Sequence, residues 1–162
     1  MALLPFALKR RGRWWWKRSL HRLALRLGHR LRVGWWRLAR PRIHGVSVIA
    51  RDRVGRVLLI RQTYGPNHWV LPGGGVRRGE PPIDAAGREF AEELGCPLTD
   101  LRLLRVLEEP LHGATNVVHL FTATLAGEPR PDRREVAAAQ LVALNALPAG
   151  LSPRTQARLR LL

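Results

Sequence analysis

The chain has 162 residues, 46% hydrophobic and 25% charged, a size and balance that suit one compact domain plus a modest appendage and exclude two full domains or a wholly disordered chain. Its one cysteine, Cys96, forms no intramolecular disulfide and supplies no thiolate cluster, which excludes disulfide-stapled secreted scaffolds and zinc fingers and points to a reducing compartment. Net charge is +16 but unevenly spread: residues 1–44 hold thirteen Lys and Arg with no Asp or Glu, whereas residues 45–162 hold fifteen against twelve, a net of +3.

The first quarter reads as its own object. Between Trp14 and Trp36, apolar residues recur at Trp16, Leu20, Leu23, Leu27, Leu31 and Trp35, the spacing of one helix face, while Arg18, Arg22, Arg26, Arg30 and Arg37 fall off that stripe. A basic amphipathic helix is expected, weakened or bent at Gly28 and Gly34 and ended by Pro41. No apolar stretch approaches the roughly 18 consecutive residues of a membrane span, and the basic start lacks the apolar run of a secretory signal. A soluble, cytoplasmic chain is therefore expected. Three roles are open to the extension: lying on anionic lipid with its tryptophans at headgroup level, gripping nucleic acid through phosphate neutralisation, or packing its apolar face on the following domain or on a second copy. Its Arg-rich, acid-free composition also resembles an organelle transit peptide, although Ser19 is the lone serine in it.

Past Pro41 the period changes. Val46-Ser47-Val48-Ile49 and Val57-Leu58-Leu59-Ile60 are short β-branched runs around a polar turn at 51–55, which predicts a β-hairpin. A loop from Gln62 to His68 leads to Trp69-Val70-Leu71 and then to Pro72-Gly73-Gly74-Gly75, where glycines free the backbone for conformations that side chains forbid. Pro81-Pro82 and Ile83 to Leu94 read as a helix with proline in its first turn, Asp84 near its positive end and Gly95 as its stop. Strands are predicted near 101–108, 116–124 and 139–143, and a last helix from about Pro153.

Chemistry concentrates between Gly74 and Cys96. Glu89, Glu92 and Glu93 stand at i, i+3 and i+4 and so share one helix face, where like charges repel unless cations lie between them. On its own this face would read as a surface helix with ordinary ion pairs, and Gly73–Gly75 as a tight loop. Hard oxygen ligands at this density suit Mg²⁺ or Mn²⁺ together with substrate phosphates. Arg88 is placed to pair with Glu92 or to reach back to Glu80.

Gly74, Glu80, Arg88, Glu89, Phe90, Glu92, Glu93 and Gly95 fall in the register of the Nudix box, which the segment resembles; Cys96 replaces the usual Ile, Leu or Val. The chain's own frequencies produce the seven fixed positions by chance with a probability of about 10⁻⁶. The resemblance implies an α/β fold of the α+β type, an α/β/α sandwich around a mixed β-sheet, with residues 43–162 as the hydrolase domain and 1–42 as the basic amphipathic extension. It also implies Mg²⁺- or Mn²⁺-dependent hydrolysis of the pyrophosphate linkage of a nucleoside diphosphate joined to another group. Glu92 and Glu93 are the implied metal ligands, with Glu89 also ligating or orienting a metal-bound water and the Gly74 carbonyl a further candidate ligand, and Arg88 and Glu80 their supports. A general base is sought either in the box or outside it, at Glu108, Glu109 or Glu135. Arg77 and Arg78 are candidate phosphate contacts or solvated charge. Tyr64, with His68 and Trp69, lies where an aromatic stacks on a base, although Trp69 also suits the core; His112 and His119 read as structural or surface residues. Two alternatives stand beside this reading: removal of pyrophosphate from a 5′-triphosphate on RNA, and a non-catalytic nucleotide sensor whose helix addresses a membrane or nucleic acid. Many members of the family are dimers, so a second copy is a further partner the resemblance allows.

Overall fold

A computed structural model describes Ala39 and residues 41–162, so the amphipathic stripe read over 14–36 lies outside the described residues. Within them the chain forms β1 (Arg42–Arg51), β2 (Val57–Gln62), β3 (Trp69–Val70), α1 (Pro82–Leu94), β4 (Leu98–Leu111), β5 (Ala114–Leu125), β6 (Val136–Val142) and α2 (Pro153–Leu159). The sheet is mixed. β1 runs parallel to β5 from Arg42↔Thr115 to Arg51↔Thr124, and the β4–β5, β2–β3 and β2–β6 pairs are antiparallel.

Val46–Ala50 and Val57–Ile60 are buried at every position, the pattern of strands covered on both faces. Their alternate side chains feed two cores. Val46, Val48, Ala50, Leu58 and Ile60 pack with Ala85, Ala86, Phe90 and Leu94 of α1, whereas Ile49, Val57, Leu59, Leu120 and Val142 pack with Leu159 of α2. One helix lies on each face, and the expected three-layer sandwich results. Phe90 is fully buried, so its truncation to alanine is expected to cost about 3–5 kcal/mol.

Local signals set the helix ends. α1 begins after an extended Pro81 and stops at Gly95, whose φ of 57° is a left-handed cap that places its N–H on the Ala91 carbonyl. The Ser152 hydroxyl caps α2 by accepting the Thr155 N–H at 3.1 Å.

The predicted hairpin forms only at its closed end. Asp52 Oδ1 accepts the Val54 and Arg56 N–H groups and ties the turn, and β1 meets β2 at Arg51↔Val57. The strands then part, because the glycine-rich segment takes the rest of this β1 edge: Val48 N–H donates to the Pro72 carbonyl, Val46 N–H to Gly74, and Val76 N–H to His44, at 2.9–3.0 Å. That insertion carries the segment leading into α1 onto the sheet.

Candidate active site

Glycine at 73 and 74 is a steric requirement of this insertion. Gly73 sits at φ 149° with its Cα against the Val46 carbonyl, and any Cβ there would collide with that oxygen. At Gly74 a Cβ would instead collide with the Glu89 carboxylate, so the absent side chain leaves the space that this carboxylate fills. The Gly74 carbonyl spends one lone pair on the Val46 N–H and keeps the other.

Arg88 organises the loop that precedes α1. Its Nε and Nη2 grip the two oxygens of Glu80 at 2.7 and 2.9 Å, its Nη1 reaches Glu89 at 2.8 Å, and Nη2 also donates to the Gly75 carbonyl at 3.1 Å. Glu80 additionally accepts the Arg77 N–H at 2.8 Å. The Arg88 guanidinium, and after it that N–H, hold the Glu80 carboxyl down to about 2, and Glu80 in turn raises the pKa of Arg88. This fork-to-carboxylate pair fixes the loop geometry and the direction of Glu89 together.

Glu93 faces inward from the same helix and is 5% exposed. It accepts the Gly73 N–H at 3.3 Å, yet burial pushes its carboxyl up to about 8, and the charges of Glu89, Glu135 and Asp132 push the same way. An oxygen-only, acid-rich pocket with a backbone carbonyl beside it fits a hard divalent cation. Glu92 is 55% exposed and turns outward to Arg77 at 3.4 Å and Arg88 at 3.5 Å. Among the described residues no group of three His, Cys, Asp or Glu side chains is already set to hold a metal ion.

The three carboxylates outside the box separate cleanly. Glu108 pairs with Arg42, and Glu109 is held by Arg158 at 2.7 Å and Arg154 at 3.4 Å, both on β4. Glu135 lies ahead of β6, and its charge bears on Glu93. Asp132, which the sequence reading did not single out, orders this approach: its Oδ1 accepts the N–H groups of Arg134, Glu135 and Val136, all at 3.0 Å. The visible signal was an Asp opening a turn after Pro131, three residues before the glutamate.

Arg77 and Arg78 are both exposed on the loop, and Tyr64 is partly buried in the loop after β2. A cavity of about 500 Å³ opens on the α2 side, lined by Gln62, His68, Leu71, Ser152, Arg154 and Arg158 among others, and not by Tyr64. Trp69 packs on the α2-side core with the Arg61 guanidinium 5.0 Å from its ring. His119 stacks with His44 at 5.8 Å between centroids; burial, then the His44 charge, lower its pKa.

A family model described as the NUDIX domain matches residues 41–161. Over 59 residues, 36% of this chain, the sequence is 41% identical to an RNA pyrophosphohydrolase of Actinobacillus succinogenes, of which 29% is covered. An RNA pyrophosphohydrolase of Saccharophagus degradans is 36% identical over 63 residues, covering 39% of this chain and 37% of that one. The chain thus spans about a third of the length of these curated relatives. Among solved structures, a MutT NUDIX hydrolase from Burkholderia pseudomallei superposes with a TM-score of 0.68 at 34% identity, covering 75% of this chain and 98% of that one.

Proposed function

The chain belongs to the Nudix family, and from that premise we propose that it is a divalent-metal-dependent pyrophosphohydrolase cleaving the pyrophosphate linkage of a nucleoside diphosphate joined to another group. The observation that carries this reading is the buried Glu93, surrounded by acids beneath the Gly73–Gly74 turn, with Glu89 filling the space a side chain at Gly74 would take. Glu89, Glu92, Glu93 and the Gly74 carbonyl would hold Mg²⁺ or Mn²⁺, which neutralises phosphate charge and makes bound water more acidic. The remaining work falls to the protein. Arg88 locks Glu80 and Glu89 in direction, and Arg77 and Arg78 stand at the rim to meet phosphate charge. A carboxylate, for which Glu135 is the best placed of the residues outside the box, takes the proton from the attacking water as the P–O bond to the departing phosphate breaks. The cavity on the α2 side receives the nucleoside: Leu71 lines it and is followed directly by Pro72–Gly74. Tyr64, in the loop between β2 and β3, is a candidate stacking partner.

A second reading has its own support. The relatives named RNA pyrophosphohydrolase, together with the acid-free basic extension, favour an RNA 5′-triphosphate as substrate. We divide the chain into that extension, 1–42, and the hydrolase domain, 43–162. We place it in the reducing cytoplasm, where a buried Cys96 thiol stays inert; among the described residues no helix is long and apolar enough to cross a membrane. The test is release of phosphate or nucleotide from nucleoside diphosphate derivatives, dinucleoside polyphosphates, nucleoside triphosphates and triphosphorylated RNA, each with Mg²⁺ and with EDTA. Metal-dependent turnover of a diphosphate derivative that is insensitive to salt supports the first reading. RNA turnover falling steeply with salt replaces it with the second. Silence across the panel with Mg²⁺ binding intact overturns catalysis in favour of sensing.

A further inference from the structure

A second recess, of about 330 Å³, is lined by Arg51, Asp100, Arg102, Thr122, Ala123 and Thr124. Ile49 and Leu120 belong to the α2-side core, and residues two apart on a strand share a face, so Arg51, Thr122 and Thr124 continue that face past the core. Register completes the group, setting Arg51 beside Thr124 and Arg102 beside Thr122. α1 lies on the other face, and Val46, where Gly74 meets β1, is five residues back along the strand, about 16 Å. None of the lining residues borders the cavity that receives the nucleoside.

Arg51 carries the unmet demand. Its Nε is buried and has no hydrogen-bond partner among the described residues, and a buried donor left unpaired is costly. Arg102 is held by Asp100 at 3.9 Å, with both side chains largely exposed, so two guanidiniums meet one loosely paired carboxylate. These donors come from strands on either side of β5, Arg51 from β1 and Arg102 from β4, about 10 Å apart. A ligand between them has to present acceptors in more than one direction, which a tetrahedral phosphate does and a planar carboxylate does not. Thr122 and Thr124, on the strand between the two arginines, add hydroxyl donors. We propose that this recess is a phosphate-binding site, separate from the proposed catalytic centre, in which Arg51 and Arg102 grip a free phosphate or the phosphodiester of a polynucleotide.

The test is a titration of the full-length chain with inorganic phosphate in EDTA, read at the backbone amides of Thr122 and Thr124 by nuclear magnetic resonance. Saturable shifts are expected there. Arg51→Gln is expected to weaken the binding at least about tenfold, the loss of a charged hydrogen bond, and Arg102→Gln about three- to tenfold. Arg53→Gln, an equal loss of charge outside the recess, is expected to leave it unchanged. Arg102 is 79% exposed, so its variant retains the fold, and the dispersion of the remaining amides checks both. Shifts that fail to saturate, that sodium chloride at equal ionic strength reproduces, or that survive both Arg51→Gln and Arg102→Gln overturn the proposal. A 5′-hydroxyl oligonucleotide that moves the same amides identifies a phosphodiester as the source; one that leaves them in place while inorganic phosphate moves them identifies free phosphate.

Discussion

Glu93 and Glu109 are both largely buried acids on opposite faces of one sheet, and the chain treats them in opposite ways. Glu109, on the α2 side, has two arginines for one carboxylate, with Arg158 donating through both Nε and Nη2. Glu93, on the α1 side, has a backbone N–H and three acidic neighbours, and its proton is held up to about pH 8. Satisfied by cations of its own chain, Glu109 is architecture. Starved of them, Glu93 is where we propose the site, because an unpaired buried charge is expensive unless something from outside supplies the countercharge.

The largest effect that would break this contrast is expected at Glu93 itself. Glu93→Gln should lower kcat at least about 100-fold while the fold survives, since the amide removes only a charge the interior already resists; an unchanged rate would remove Glu93 from the metal set. Gly74→Ala comes next, with turnover falling about 10- to 100-fold and stability by about 1–3 kcal/mol as Glu89 is driven from its space, read by steady-state kinetics and urea unfolding.

Titration sharpens the same difference. Below pH 8 a proton must leave Glu93 before a cation binds, so Mg²⁺ affinity measured by calorimetry should rise by up to about tenfold per pH unit toward 8 and then level off. In EDTA the sign is reversed for stability: the native state keeps the extra proton between 4.5 and about 8, so thermal stability falls as pH rises through that window. Glu80 runs the other way. Its carboxyl is held down to about 2, so its pairing stabilises fully above pH 4.5 and is lost as pH falls toward 2. Arg88→Gln should flatten that acid-side slope in urea unfolding, leaving only the share held by the Arg77 N–H, and lower turnover about 10-fold by freeing Glu89. The smallest change in rate is expected at Glu109. Glu109→Gln should alter kcat less than about threefold, yet cost about 1–3 kcal/mol by leaving Arg158 part-buried and underpaired.

Spacing along the chain made much of this legible. The α1 limits, its glycine stop, the strands of the sheet and the shared face of Glu89, Glu92 and Glu93 all follow from periodicity and caps, which depend on near neighbours. The hairpin was half legible: Asp52 announces its turn, but nothing local says that Pro72–Val76 will wedge between β1 and β2. Asp132 and the Arg154–Arg158 clamp were missed because their partners lie elsewhere in the sequence or in a loop without periodicity. In sequence Glu135 stood only slightly apart from Glu108 and Glu109, by its place just ahead of a predicted strand, and it was the fold that gave the other two arginines and brought the charge of Glu135 to bear on Glu93.

By itself, then, the sequence determined the family pattern, the helix that carries the carboxylates and the arginine available to direct them, because each is a matter of residues within one or two turns of each other. Tertiary structure decided which carboxylate is buried, which points outward to Arg77, and why Gly73 and Gly74 tolerate no side chain. Those outcomes depend on β1 and the glycine segment meeting across twenty-four or more residues of chain, as Val46 and Gly74 do at a hydrogen bond, and on the burial that this contact creates.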